Sequence, residues 1–97
     1  MQTYILLVKL TEQGIKDIKN APKRLELATQ GLEAVGGKMV GIYAVLGEYD
    51  YVAIGEMPSD EVGMRFLLTL GALGNVRTTT LRAFTMEEFV GIVEKLP

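Results

Sequence analysis

The chain has no cysteine, no histidine and no tryptophan. Without cysteine there is no disulfide, no thiol nucleophile and no thiolate metal site. Without histidine the commonest metal ligand is missing, along with the side chain that most often moves protons near neutral pH. No Ser-His-Asp or Cys-His catalytic set can be assembled, and haem held by a histidine is excluded. An excess of one charge is also lacking. Ten Lys and Arg stand against 12 Asp and Glu, for a net charge of −2, so the chain as a whole is not drawn to nucleic acid or to an anionic membrane surface. No apolar run is long enough to cross a bilayer, and the first residues, Met1-Gln2-Thr3-Tyr4, lack the basic stretch of a secretion signal. A cytoplasmic protein is the expectation. Gly36-Gly37 precedes a strand and fits no phosphate-loop or dinucleotide fingerprint. What remains is 97 residues, 48% hydrophobic and 23% charged, which is room for one folded domain over residues 1–97 with one core.

Residues 3–10 are β-branched, aromatic and aliphatic, and read as a first strand. Thr11 caps a short helical turn beginning near Glu12. Asn20-Ala21-Pro22 restarts a helix, because proline in a first turn forfeits no hydrogen bond. Leu25, Ala28, Leu32 and Val35 then recur at helical spacing, and Gly36-Gly37 stops the run. Residues 39–46 and 49–57 read as the second and third strands. Pro58 ends the third, and Ser59 caps the next helix with Asp60 and Glu61 near its positive end. Val62, Phe66, Leu67, Leu70 and Leu73 are its inward residues, and Gly74 closes it. Residues 75–84 read as the fourth strand. Thr85-x-x-Glu88 is a capping box that starts a last helix with Phe89, Ile92, Val93 and Leu96 on one side. The order β-α-β-β-α-β plus a C-terminal helix predicts an α+β, ferredoxin-like fold. Its four-stranded antiparallel sheet carries two helices on one face.

The strands do not alternate as a half-exposed antiparallel sheet would. Tyr4, Leu6, Val8 and Leu10 fill one face of the first strand, and Ile5 and Leu7 the other. On the second, Met39, Tyr43 and Val45 oppose Val40, Ile42, Ala44 and Leu46. On the third, Val52 and Ile54 oppose Tyr51 and Ala53. Both faces of the sheet need cover, and two helices cover one. A bare second face would reach the few hundred Å² that monomers expose as one patch. Either a second copy covers it or the C-terminal helix folds back over it, and self-association is the expected remedy. A standard interface buries about 1,600 Å². With roughly 60% of that apolar, the gross gain at ~25 cal/mol per Å² is about 24 kcal/mol. Association costs roughly 4–15 kcal/mol before side chains are ordered.

The step Gly47-Glu48-Tyr49-Asp50-Tyr51 joins the second and third strands. Gly47 suits the first central position of a two-residue type II′ hairpin, which needs positive φ. That turn places Leu46 opposite Tyr49 and Tyr43 opposite Val52, with Asp50 on the face of Tyr43 and Val52 and with Tyr49 and Tyr51 on the other. Asp50 near an apolar face needs a partner. It either pins the hairpin, through backbone hydrogen bonds or an ion pair to Arg24, Arg77 or Arg82, or serves as a ligand-binding or proton-transfer carboxylate. Arg77 and Arg82 with Thr78, Thr79 and Thr80 make the last strand polar. That pattern fits a guarded sheet edge or an anion site.

The stretch from Tyr4 to Thr11 with Gly14, the pair Gly36-Gly37, the step Gly47-Glu48-Tyr49-Asp50, the run Gly74-Asn75-Val76-Arg77-Thr78 and the triplet Arg82-Ala83-Phe84 together resemble the GYD-domain family over nearly the whole chain. The resemblance implies a dimeric α/β barrel, two sheets packed face to face, and it implies no reaction. Gly47, Tyr49, Asp50, Gly74, Val76, Thr78 and Thr80 are also similar to the pattern of the ligand-binding domain of Lrp/AsnC-type regulators. Such domains bind amino acids at subunit interfaces. The helix-turn-helix domain of those regulators has no counterpart here.

The favoured function is a non-enzymatic small-molecule-binding or interaction module. Tyr43, Asp50, Arg77, Thr79 and Arg82 are its candidate ligand-binding residues, and Gly47, Tyr49 and Asp50 its structural motif. The alternative is a small cofactor-independent oxygenase or isomerase, as other dimeric α/β barrels are. Tyr43 or Asp50 would then transfer a proton in a pocket where Gly41, Ala44, Ala53 and Gly55 leave room between sheet and helices. The expected partners are a second copy of the chain and a small metabolite. No nucleic acid, membrane, metal or cofactor is expected. The topology is shared with a common RNA-binding module, but the charge balance opposes that use.

Overall fold

The structure, a computed structural model, describes all of residues 1–97. Strand β1 (Gln2–Leu10) is followed by the short helix α1 (Glu12–Lys16), a 3-10 turn (Ile18–Asn20) and helix α2 (Ala21–Ala34). Strands β2 (Lys38–Ala44) and β3 (Tyr51–Met57) form a hairpin, and α3 (Asp60–Ala72), β4 (Val76–Ala83) and α4 (Met86–Val93) complete the chain. The sheet runs β2-β3-β1-β4 with every neighbour antiparallel. This is the expected α+β, ferredoxin-like arrangement.

The local signals act where they were read. Thr11 Oγ1 accepts from Gly14 N at 3.1 Å and starts α1. Ser59 Oγ accepts from Val62 N at 3.2 Å and starts α3, with Asp60 and Glu61 in the first turn. Thr85 and Glu88 form a reciprocal capping box on α4. The Thr85 N–H donates to Glu88 Oε1 at 2.8 Å, and this bond holds the Glu88 carboxyl below its ordinary range.

The core is a single layer between the sheet and two helices. Tyr4, Leu6 and Val8 of β1 and Tyr51, Ala53 and Met57 of β3 are buried beneath Leu32 of α2 and Phe66 of α3. Leu73 departs from the expected inward stripe. It is the C-cap of α3 and 63% exposed, because the helix ends just before it and the chain turns away toward β4.

Two polar contacts fasten the layer. The Tyr4 hydroxyl donates to the Asp60 carboxylate at the head of α3. Burial and that carboxylate push the Tyr4 phenol up to about 12. At the other end, the turn after β1 is latched to the turn before β4. Thr11 N donates to Asn75 O at 3.0 Å and Thr11 Oγ1 to Gly74 O at 2.5 Å. Gln13 Nε2 reaches Leu73 O at 3.1 Å and Asn75 Oδ1 at 2.9 Å. Gly14 sits so close to this latch that a Cβ there would lie 2.1 Å from Asn75 O.

The molecule is larger than its mass requires. A folded 10.6 kDa monomer exposes about 5,500 Å² by the usual size scaling, whereas this chain exposes 6658 Å². Its radius of gyration is 14.7 Å, against about 12.5 Å for a compact domain of this length. Helix α4 is one cause. It has no buried residue and makes no substantial packing contact with any other element. It does not fold back over the sheet, and Phe89, Val90, Ile92 and Val93 are each 44% to 51% exposed.

Two outcomes test these contacts. Gly14→Ala destabilises the fold by about 2 kcal/mol or more, seen as a lower urea midpoint. Gly71→Ala, whose added methyl meets nothing within 4 Å, gains about 0.5–1 kcal/mol from helix propensity. The raised Tyr4 pKa means the folded state holds this proton more tightly than the unfolded state. That contribution is complete below pH 10 and disappears as pH rises through about 12. Tyr4→Phe removes this part of the alkaline slope in denaturation curves taken across that window.

Candidate functional site

The β2–β3 hairpin is set by its backbone and by one carboxylate. Gly47 has φ of +112°, a conformation that other residues adopt only with strain. Tyr43 pairs with Val52, as the short turn predicts. The ladder closes at Ala44 and Tyr51, earlier than the expected strands over residues 39–46 and 49–57. The reason is Asp50. Its N–H donates to Val8 O at 2.8 Å, so it has turned toward β1, while Val45 N still donates to Asp50 O at 2.9 Å. Its Oδ2 then accepts from Leu10 N at 2.8 Å. The carboxylate thus satisfies a donor of β1 at the level where β3 has ended.

None of the three arginines reaches Asp50. Arg24 binds the Asp17 carboxylate and Gly14 O, each at 3.0 Å. Arg82 donates to Thr3 O at 3.4 Å and to its neighbour Ala83 O, and its guanidinium lies over Tyr4 and Phe84, at 5.6 and 4.7 Å from the ring centroids. Arg77 is exposed and makes no ion pair. At the hairpin tip, Lys9 lies 3.6 Å from Glu48 and 5.5 Å from the Tyr49 ring centroid, so that tyrosine braces the turn.

The sheet face away from α2 and α3 is uncovered. Its pairing registers define rows across all four strands. One row is Tyr43, Val52, Leu7 and Thr79; the next is Gly41, Ile54, Ile5 and Leu81. Lys38, Glu56, Thr3 and Ala83 flank them on one side, with Lys9 and Arg77 on the other. The middle is apolar and the rim polar, which is the anatomy of a recognition surface. Tyr43 is 63% and Leu81 47% exposed. A bulge between Met39 and Gly41 corrects one expectation. It moves Met39 to the helix side with Ile42 and Ala44, because the extra residue breaks the two-residue alternation.

The five candidate ligand-binding residues therefore do not meet on one chain. Tyr43, Arg77 and Thr79 share the uncovered face, with Tyr43 on one edge strand and the other two on the opposite edge. Asp50 lies in the turn just before β3, and Arg82 lies on the helix side beside Tyr4.

The helix side holds a cavity of about 660 Å³ between the sheet, α2 and α3. Leu6, Val8, Leu25, Ala28, Ala53 and Phe66 are among its walls. Of the small residues expected to leave room, Ala53 lines it and Gly41, Ala44 and Gly55 do not. Two further lining residues, Tyr51 and Arg65, escaped the sequence reading. Tyr51 resembled ordinary core, and Arg65 is one charge on a helix surface.

Replacing Asp50 tests the hairpin account. Asp50→Ala leaves the Leu10 N–H unpaired and costs about 1–3 kcal/mol, whereas Asp50→Asn keeps an acceptor there and costs less than about 1 kcal/mol. Urea denaturation of the two variants separates these outcomes.

Three comparisons place the chain. A curated relative from Thermus thermophilus, named glutamine synthetase and cystathionine beta-lyase binding protein, is 35% identical over 91 residues, covering 93% of this chain and 96% of that one. Among solved structures, the feast or famine regulatory protein of M. tuberculosis complexed with L-methionine matches with TM-score 0.66 at 20% identity, covering 88% of this chain. The leucine response regulatory protein of Mycobacterium tuberculosis matches with TM-score 0.64 at 23% identity, covering 87%. Both likenesses are of fold, and the match spans about half of each regulator, 51% in both. The GYD domain matches residues 4–93, and with that match the chain belongs to the GYD-domain family.

Proposed function

We propose that this chain is a cytoplasmic interaction module of one domain, residues 1–97, that works as a homo-oligomer and binds other proteins. Two copies pack their uncovered sheets together, and the assembled particle engages its partners. The observation that carries this reading is the uncovered sheet face, an apolar middle within a polar rim, on a molecule with about 1,200 Å² more surface than its mass calls for. A standard interface takes about 800 Å² from each partner, so one such contact absorbs most of the excess. Helix α4, apolar and unpacked, supplies further area for the same purpose.

The relative's name supports the second half of the reading. A protein 35% identical along nearly its whole length is named for binding glutamine synthetase and cystathionine beta-lyase, and we extend that role to this chain. A small metabolite fits the same scheme between the copies, against Tyr43, Arg77 and Thr79. Asp50 and Arg82 then act from the ends of the strands. Proton transfer by Tyr43 or Asp50 draws no support from the geometry. The Asp50 carboxylate is taken by a backbone N–H, and Tyr43 stands on the opposite side of the sheet from the cavity.

The test uses Ile54→Lys with Leu81→Glu, which places charge in the apolar row while leaving the helix-side core alone. Sedimentation of this variant shows half or less of the wild-type mass, with an unchanged far-ultraviolet spectrum. Surface plasmon resonance against purified glutamine synthetase and cystathionine beta-lyase shows binding by the wild type and at least tenfold weaker binding by the variant. An unchanged mass contradicts assembly through this face. Failure of the wild type to bind either enzyme contradicts the partner assignment.

A further inference from the structure

We propose that the cavity between the sheet and helices α2 and α3 is a binding site for a small organic acid with an apolar body. This site is separate from the assembly surface, which lies on the other side of the sheet. Three observations lead to it. The first is space: about 660 Å³ falls within the range of small-molecule sites, and the walls are mostly aliphatic. Helix α2 rests mainly on β2 and α3 on β4 and β3, and the cleft lies between them, beside Phe66.

The second observation is Tyr51, which directly follows the Gly-Glu-Tyr-Asp step. It is only 9% exposed and lines the cavity, yet its hydroxyl has no hydrogen-bond partner in the protein. Every polar side-chain atom sealed within the fold does have one, so the Tyr51 oxygen opens onto the cavity. The oxygen is thus open to water while the ring is buried, which makes it a fixed hydrogen-bonding point for whatever enters the cleft. A polar atom of a bound molecule pairs with it.

The third observation is charge. The only charged residues along the cavity are Arg24 and Arg65, with no carboxylate among them. Arg24 is engaged by Asp17 and Gly14 O. Arg65 makes no ion pair and is exposed at the rim. A guanidinium at the mouth of an apolar cleft selects a carboxylate head over a neutral or cationic one. The occupant therefore has its apolar body against Leu25, Ala28 and Phe66, a polar atom at Tyr51 and its anionic end at Arg65.

Calorimetric titration of the intact protein with octanoate, octanol and octylamine tests this, since the three probes share a chain and differ in the head. Octanoate binds tightest, and octylamine at least about tenfold more weakly, the factor expected of one hydrogen bond to a charged group. Arg65→Gln brings octanoate down to the affinity of octanol. Tyr51→Phe weakens octanoate and octanol alike by several-fold. Ala28→Phe, which fills the cleft from α2, abolishes binding of all three without lowering the melting temperature. The Ile54→Lys and Leu81→Glu variant retains octanoate binding, which separates this site from the sheet-face assembly. Equal affinity for octylamine and octanoate, or octanoate binding that survives Ala28→Phe, overturns the proposal.

Discussion

Water is kept from one face of the sheet by α2 and α3, and nothing in the same chain does this for the other. Both faces are nonetheless built of aliphatic and aromatic side chains, since β1 carries Tyr4, Leu6 and Val8 toward the helices and Ile5 and Leu7 away from them. Apolar surface is favoured out of water at roughly 25 cal/mol per Å². A sheet of this kind therefore has one face for which its own chain supplies no cover. The enlarged surface, the high radius of gyration and the unpacked α4 are three expressions of that imbalance.

Polar groups hold this thin layer in shape. Asp50 closes the end of β1, the Thr11 and Gln13 side chains lock the two turns at one end of the sheet, and Tyr4 ties β1 to the head of α3. Each contact joins elements distant in sequence, so each restrains topology more than local conformation. The arrangement leaves the sheet face as a firm platform, with Tyr43 and Thr79 at opposite ends of one row. On the helix side the two main helices rest on different strands, and a cleft of about 660 Å³ lies between them.

The order of strands was legible in the residues, because each boundary carries a specific mark. Pro58 and Ser59 separate β3 from α3, Thr85 and Glu88 open α4, and Gly47 sets a turn that brings Tyr43 to Val52. The two-sided apolar pattern of the strands was legible too, since it needs only alternation. Other features depend on geometry that residue types do not encode. The bulge that turns Met39 inward shifts one residue with no glycine or proline at Val40 to announce it. The partner of Asp50 is a backbone N–H, which every residue but proline carries, so the sequence offered only arginines. The candidate site fared less well than the fold. Its five residues alternate along strands, and alternation sent Arg82 to one face while Arg77 and Thr79 went to the other. The cavity depends on how α2 and α3 are seated on the sheet, which no single residue signals.

The central claim is that the uncovered face is completed by another copy of the chain. Sedimentation equilibrium of the unmodified protein at micromolar concentration tests it most directly. A mass of at least twice 10.6 kDa, with no free single chain at equilibrium, is the predicted result. A stable species of 10.6 kDa across the whole concentration range contradicts it.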